Sequence, residues 1–174
     1  GQHVNLTEQV CKDIGRGFAL WLKAKAGKAD MRVAVGRDSR LSGEALCDWL
    51  CQAMVEQGLL VTNFGMASTP AMFMSTVTEG YAFDGSVMIT ASHLPFNRNG
   101  FKFFTCEGGL EKADIKAILT YAAGEEVTSL AAGTYVSGEF MDTYGKILAD
   151  KIRAATGMEK PLEGFRIVVD AGNG

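Results

Sequence analysis

The chain has 174 residues, enough for one ordinary domain with a hydrophobic core, or for one domain and part of another. Its composition is typical of a soluble globular protein, and its net charge of −3 argues against nucleic acid as the main partner, because a phosphate backbone requires a basic face. No apolar run approaches the roughly 20 residues that span a bilayer and no secretory signal is visible, so we expect a cytoplasmic protein without a membrane partner.

Helical and strand-like patterns alternate along the chain. Apolar residues recur at helical spacing in five segments, with short β-rich runs between them. In chain order we predict a helix from a cap at Asn5 or Thr7 to Ala26, a strand at Met31–Gly36, a helix capped by Ser42, a strand at Leu59–Phe64, a helix opened by Pro70, strands at Ser86–Thr90 and Phe101–Thr105, a helix at Glu111–Ala123, a loop at Gly124–Gly133 and a helix at Phe140–Ala154.

This alternation predicts an α/β fold over residues 1–156, a three-layer domain in which helices flank a mostly parallel mixed sheet. Gly157–Gly164 is predicted to be a linker, and Arg166–Asp170 a new strand. That strand and the Gly-rich turn after it precede no helix. We therefore expect residues 157–174 to be the linker and first strand of a second, similar domain, and the chain to be a fragment of a longer protein.

The strongest functional signal is the segment Thr90–Lys102, which joins two predicted strands. It brings a hydroxyl and three basic side chains onto one connection at the carboxyl edge of the sheet, where ligands bind in open α/β folds: Ser92, His93, Arg98 and Lys102. A nucleophile among cations suits phosphoryl transfer, because the transferring group carries charge that must be compensated. Side chains alternate along the second strand, so we expect Lys102 to reach back toward Ser92. The alternative is an ordinary polar loop with a capping serine.

The same segment resembles the phosphoserine loop of the α-D-phosphohexomutases, which include phosphoglucomutase, phosphomannomutase and phosphoglucosamine mutase. That loop reads Thr-Gly/Ala-Ser-His-Asn-Pro, a variable stretch, then Asn-Gly and a strand bearing a lysine. The chain matches it at Thr90, Ala91, Ser92, His93, Pro95, Asn99, Gly100 and Lys102. It departs at Leu94, where the family usually has asparagine. Three further stretches resemble the family in order and spacing: Val35–Gly43, Gly65–Ala71 and Val168–Gly174.

The resemblance implies an intramolecular phosphotransferase that interconverts hexose 1-phosphate and hexose 6-phosphate, with these small molecules as its partners. Ser92 would carry a phosphoryl group, donate it to the sugar to give a hexose bisphosphate, and take back the other. Lys102 would serve proton transfer or charge compensation, and His93 would hydrogen-bond the phosphate or the attacking hydroxyl. The implied cofactor is Mg²⁺, bound through the Ser92 phosphate and an Asp-x-Asp-x-Asp loop beyond residue 174, with hexose bisphosphate as activator.

Four further residues are candidates for binding substrate or phosphate: Arg37, Arg40, Arg98 and Thr69. For Arg37 and Arg40, an ion-pair network with Asp38 that fixes the loop is the simpler interpretation. Thr69 most simply begins a helix. A serine-nucleophile hydrolase or phosphatase and a non-catalytic sugar-phosphate-binding relative are the alternative functions. The family's metal loop and sugar loop have no counterpart in these 174 residues, so we expect the chain alone to be inactive, and the preferred hexose stays open.

Overall fold

A computed structural model describes residues 5–124 and 132–172, and in these ranges the chain forms five helices and six strands. None of these helices has the length and apolar character needed to cross a membrane. In chain order the elements are α1 (Glu8–Ala26), β1 (Arg32–Arg37), α2 (Gly43–Glu56), β2 (Leu60–Met66), α3 (Thr69–Val77), β3 (Gly85–Ile89), β4 (Phe101–Thr105), β5 (Gly108–Gly109), α4 (Lys112–Ala122), β6 (Thr134–Ser137) and α5 (Met141–Thr156).

Side-chain caps account for where α1 and α3 begin. The Thr7 hydroxyl accepts a hydrogen bond from the Val10 backbone N–H (3.3 Å) at the start of α1, and Ser68 caps α3 in the same way. Ser42 occupies the corresponding position of α2, but its backbone is helical rather than extended and its side chain caps nothing. Its hydroxyl instead accepts a hydrogen bond from the Asn99 amide (3.0 Å), so the predicted capping role of Ser42 is wrong.

All six strands lie in one sheet with the order β5-β4-β3-β1-β2-β6. The strands β1, β2, β3 and β6 are parallel, β4 is antiparallel to β3, and β5 is antiparallel to β4. All five residues of β3 are buried, as expected for a strand that is covered on both faces. The predicted α/β fold with a mostly parallel mixed sheet is therefore confirmed.

Two hydrophobic clusters, one on each face of the sheet, make the three layers. On one face α1, α2 and α4 pack over the sheet, with Phe18, Leu50 and Ile118 at most 1% exposed. On the other face α3 and the start of α5 enclose a second cluster that includes Phe64 and Phe140, whose rings stack at 5.6 Å. Helices thus cover both faces of the sheet, and the ends of the strands remain accessible for a site.

Three segments differ from the sequence prediction. The short strands β5 and β6 were not predicted, and the predicted loop Gly124–Gly133 falls largely outside the described residues, which omit 125–131. The predicted strand at Arg166–Asp170 does not form, and its residues are exposed. A β-rich, apolar run becomes a strand only beside a partner that takes its backbone hydrogen bonds, and no strand in the described residues pairs with this one.

The strand pairing brings three connections to one edge of the sheet. Arg37, the last residue of β1, is paired with Met66 at the end of β2 and with Ile89 at the end of β3. Phe101, the first residue of β4, is paired with Ile89. The segments that follow β1, β2 and β3 therefore lie side by side at the carboxyl edge of the parallel strands.

Candidate active site

The loop of residues 90–100 joins β3 to β4 and carries Ser92 at this edge. The loop is closed at its base, where the Thr90 N–H donates to the Gly100 carbonyl (3.0 Å). Ser92 is exposed and has a φ of +55°, in the left-handed region. That conformation costs a residue with a side chain about 1–2 kcal/mol, so the surrounding contacts have to maintain it.

Arg40 supplies most of these contacts. Its Nη1 donates to the carbonyls of Pro95 (2.7 Å) and Arg98 (3.0 Å), and its Nη2 donates to those of Ser92 (2.9 Å) and Leu94 (2.8 Å). The Arg40 Nε donates to Asp38 (3.1 Å). A guanidinium has five N–H donors, and five protein acceptors surround this one.

Asp38 ties the Arg40 side chain to the first residue of the loop. One carboxylate oxygen, Oδ2, accepts from both Arg40 Nε and the Thr90 hydroxyl (2.7 Å), and the other accepts from the Arg40 backbone N–H (3.1 Å). The Thr90 hydroxyl oxygen in turn accepts from the Ser92 N–H (2.9 Å). We call Arg40, Asp38 and Thr90 the loop network, and the Arg40 side chain at its centre is only 11% exposed.

The loop network bears on the predicted role of Arg40. The ion pair with Asp38 is present, and no Arg40 donor is left over for a substrate phosphate in this arrangement. Arg37 is different: its Nη2 lies 3.9 Å from a Glu44 carboxylate oxygen, and its Nη1 is 3.4 Å from the Asp38 carbonyl, so its bonds are long. The structure favours fixing the loop, rather than touching phosphate, as the role of Arg40.

The remaining predicted site residues lie around the loop without hydrogen bonds between them in the described parts of the chain. His93 and Arg98 are exposed on the loop itself. Lys102 is exposed on β4, opposite Met88, and therefore belongs to the α3 face of the sheet. Thr69 is the half-buried first residue of α3. Lys102 and the start of α3 thus share one face, with the Ser92 loop at the edge above it.

The amino-acid sequence also matches proteins of known classification. Residues 2–128 match the family model for phosphoglucomutase/phosphomannomutase, alpha/beta/alpha domain I. The chain belongs to this family. The phosphohexomutase resemblance drawn from the Ser92 loop is thereby confirmed.

Individual mutases align along nearly the whole chain. It is 32% identical over 170 residues to a phosphomannomutase/phosphoglucomutase of Pseudomonas putida and 34% identical over 175 residues to a phosphoglucosamine mutase of Corynebacterium jeikeium. These alignments cover 95% and 97% of the chain but only 35% and 38% of the relatives' lengths. A crystal structure of a phosphoglucomutase/phosphomannomutase family protein from Burkholderia thailandensis superposes with a TM-score of 0.72 at 25% identity, over 83% of this chain and 32% of that one.

Three features of this site were missed by sequence reasoning. The Thr90 hydroxyl was not given a role. It accepts a hydrogen bond from the N–H of Ser92, two residues later, which is a common local turn of threonine side chains. The same kind of turn at Asp38, which accepts the N–H of Arg40 two residues later, was also available. The contacts of Arg40 with four loop carbonyls had no local signal, because they join residues 52 to 58 positions apart.

The described residues do not bring together enough carboxylates to bind a metal ion. Among the described residues, no group of three or more His, Cys, Asp and Glu side chains is placed to hold one. Asp38, the carboxylate bound to the loop, is occupied by Arg40 and Thr90. Because Mg²⁺ requires a near-octahedral shell of oxygen ligands, the residues described do not fit a complete magnesium site.

Proposed function

We propose that the intact protein is a phosphohexomutase, interconverting hexose 1-phosphate and hexose 6-phosphate with Ser92 as the phosphoryl carrier. The observation that carries this proposal is an exposed serine in a left-handed conformation, held at the carboxyl edge of the sheet by the loop network of a chain from this family. The relatives are named as mutases of three overlapping types, which supports hexose phosphates as the substrates. A cytoplasmic location fits substrates of this kind.

The reaction would proceed in two phosphoryl transfers, the first from Ser92 and the second back to it. The bond between Ser92 Oγ and phosphorus breaks as a sugar hydroxyl oxygen bonds to the same phosphorus, and the hydroxyl proton passes through a base to Ser92 Oγ, which becomes a hydroxyl. The hexose bisphosphate then turns over and its other phosphoryl group passes to Ser92 Oγ as the bond from phosphorus to the sugar oxygen breaks; the Ser92 hydroxyl proton passes through the base to that sugar oxygen. Free hexose bisphosphate would act as activator by phosphorylating Ser92 directly.

Basic residues around the loop would serve these transfers. We assign proton transfer or charge compensation to Lys102 and a hydrogen bond to the phosphoryl group or the attacking hydroxyl to His93, which is exposed beside Ser92. Arg98, Arg37 and Thr69 would contribute weaker contacts with the substrate phosphate. Mg²⁺ would neutralise phosphoryl charge, with the Ser92 phosphate as one ligand and the other protein ligands outside residues 1–174.

We further propose that residues 1–156 are the first domain of the intact protein and that residues 157–174 lead into a second. Apolar side chains at Ile167, Val168 and Val169 are 58–94% exposed, which is typical of a segment that another part of a protein covers. With neither a metal-ligand cluster in the described residues nor a sugar loop in the sequence, the 174-residue chain would not turn over hexose phosphates alone.

Intact-mass measurement of the full-length protein tests the phosphoserine. After incubation with glucose 1,6-bisphosphate we expect a gain of one phosphoryl group, its loss in Ser92→Ala, and its retention in Ser137→Ala, a matched exposed serine at the end of β6. Comparing turnover of glucose, mannose and glucosamine phosphates then assigns the sugar. If wild-type Ser92 gains no phosphoryl group but the protein binds hexose phosphates, the non-catalytic alternative holds instead.

The serine-hydrolase alternative has little support from the geometry. A hydrolytic histidine is oriented by a carboxylate, whereas His93 is exposed and has no carboxylate partner within residues 5–124 and 132–172. Hydrolysis of an activated phenyl ester or phenyl phosphate by the intact protein, abolished in Ser92→Ala, would favour that alternative over the mutase.

A further inference from the structure

The carbonyls that converge on Arg40 also fix the direction of the loop's amides. In a trans peptide the C=O and the following N–H point in opposite directions. Because the carbonyls of Ser92, Pro95 and Arg98 point at the guanidinium, the N–H groups that follow them are turned away from it; they belong to His93, Phe96 and Asn99. Arg40 therefore determines which side of the loop presents hydrogen-bond donors.

Both backbone polar groups of Ser92 are held by the loop network. Its N–H donates to Thr90 Oγ1, and its carbonyl accepts from Arg40 Nη2. Asp38 Oδ2 joins the two holding groups, since it accepts from both Arg40 Nε and Thr90 Oγ1. The left-handed φ of Ser92 is thus maintained by one connected set of hydrogen bonds.

The positive charge of Arg40 explains its position less well than its hydrogen bonds to the loop do. The guanidinium of Arg40 is paired with the Asp38 carboxylate at 3.1 Å, so the pair adds little net positive charge beside Ser92. All five donors are used inside the protein, so contact with a phosphate would require breaking a loop bond. What the pair supplies is the shape of the loop.

From these contacts we propose that Arg40, oriented by Asp38, is a positioning residue for phosphoryl transfer at Ser92, and that it aims the amides of His93, Phe96 and Asn99 away from itself toward the phosphoryl oxygens. The proposal rests on the function proposed above. Arg40 acts through the loop, without touching the substrate.

The test compares two identical substitutions in the intact protein. Arg40→Lys keeps the charge but provides three donors for five acceptors, and we expect kcat to fall about 100-fold with KM within about threefold, as for a misplaced reacting group. Arg32→Lys is the control, because Arg32 lies at the opposite end of β1, where its side chain donates to the Tyr81 carbonyl. Its kcat should stay within about twofold of wild type.

Hydrogen–deuterium exchange of peptides covering residues 90–100 gives a readout that is independent of activity. We expect faster exchange at the amides of Ser92, Leu94 and Arg98 in Arg40→Lys and unchanged exchange in Arg32→Lys, because these amides are hydrogen-bonded within the loop. The Asp38→Asn variant should show the same two changes as Arg40→Lys, a lower kcat and faster exchange of these amides, but both smaller.

The outcomes separate the positioning role from the mutase function. A raised KM with unchanged kcat in Arg40→Lys would mean that Arg40 binds substrate, and equal behaviour of the two lysine variants would remove its role altogether; either result overturns the proposal. If the wild-type protein shows neither turnover nor phosphorylation of Ser92, the mutase function fails and this proposal fails with it. Faster loop exchange in Arg40→Lys would then still show that the loop network holds Ser92.

Discussion

Replacing Thr90 by valine tests the loop network most directly. The side chains are nearly isosteric, and Thr90 is only 7% exposed, so the change removes a hydroxyl with little change in packing. Two hydrogen bonds are lost: the one donated to the Asp38 carboxylate (2.7 Å) and the one accepted from the Ser92 N–H (2.9 Å). Thr90→Ser is the matched control, because it keeps the hydroxyl and removes one methyl group.

The expected changes in the free energy of unfolding depend on which groups lose a hydrogen-bond partner. A hydrogen bond to a charged group contributes about 1.5–3 kcal/mol and a neutral one about 0.5–1.5 kcal/mol. Asp38 keeps its bond from Arg40, and the Ser92 N–H lies in an exposed residue, so the lower ends apply. We expect Thr90→Val to lower the free energy of unfolding by about 2 kcal/mol, against about 0.8 kcal/mol for Thr90→Ser from its lost methyl group.

Urea unfolding of the 174-residue chain, followed by circular dichroism, measures both changes. A double-mutant cycle of Thr90→Val with Asp38→Ala isolates the bond between the two side chains, and we expect a coupling of at least about 1 kcal/mol. The reasoning is refuted if Thr90→Val costs no more than Thr90→Ser, or if the two substitutions add within about 0.3 kcal/mol.

Three further predictions concern packing and thiols. Gly36→Ala should destabilise the chain by about 1–3 kcal/mol, because a Cβ there would lie 2.7 Å from the Ala67 Cβ. Gly145→Ala is the control, because its Cβ would meet nothing within 4 Å and the change should not destabilise α5. The midpoints of urea unfolding compare the two variants. Cys106, the exposed thiol, should react with iodoacetamide before Cys11, whose pKa is raised by burial to about 11, as peptide mass mapping would show. Since Cys11 deprotonates near pH 9 when unfolded, stability should fall between about pH 9 and 11, and less so in Cys11→Ala; an equal slope in both proteins would contradict this.

Much of the fold was predictable because it is encoded locally. The helical spacing of apolar residues and a cap at Asn5 or Thr7 placed α1, and the apolar run Val87–Ile89 lies in β3, a strand that is buried on both faces. The motif of Thr90–Lys102 was sufficient to identify the family, because all its matching residues lie within one short segment of the chain.

Other features had no local signal. The edge strand β6 contains the strand-forming types Thr134, Tyr135 and Val136, but it is only four exposed residues long and is established by its pairing with β2. Arg166–Asp170 shows the converse, a β-rich run without a partner in the described residues. Strand formation is decided by a neighbour distant in sequence, so the sequence pattern missed β5 and β6 and predicted a strand at Arg166–Asp170 that has no partner among the described residues.

The sequence by itself determined the family, the α/β alternation and the serine that we propose as phosphoryl carrier. Only the tertiary structure decided what Arg40 does, because its charge and its place after β1 are compatible with binding phosphate as well as with fixing the loop. Folding brings the Ser92 loop, more than 50 residues further along the chain, over the guanidinium and fills every donor with a loop carbonyl or with Asp38. A side chain's role depends on which partners folding leaves for its donors, and those partners lie in a distant part of the sequence.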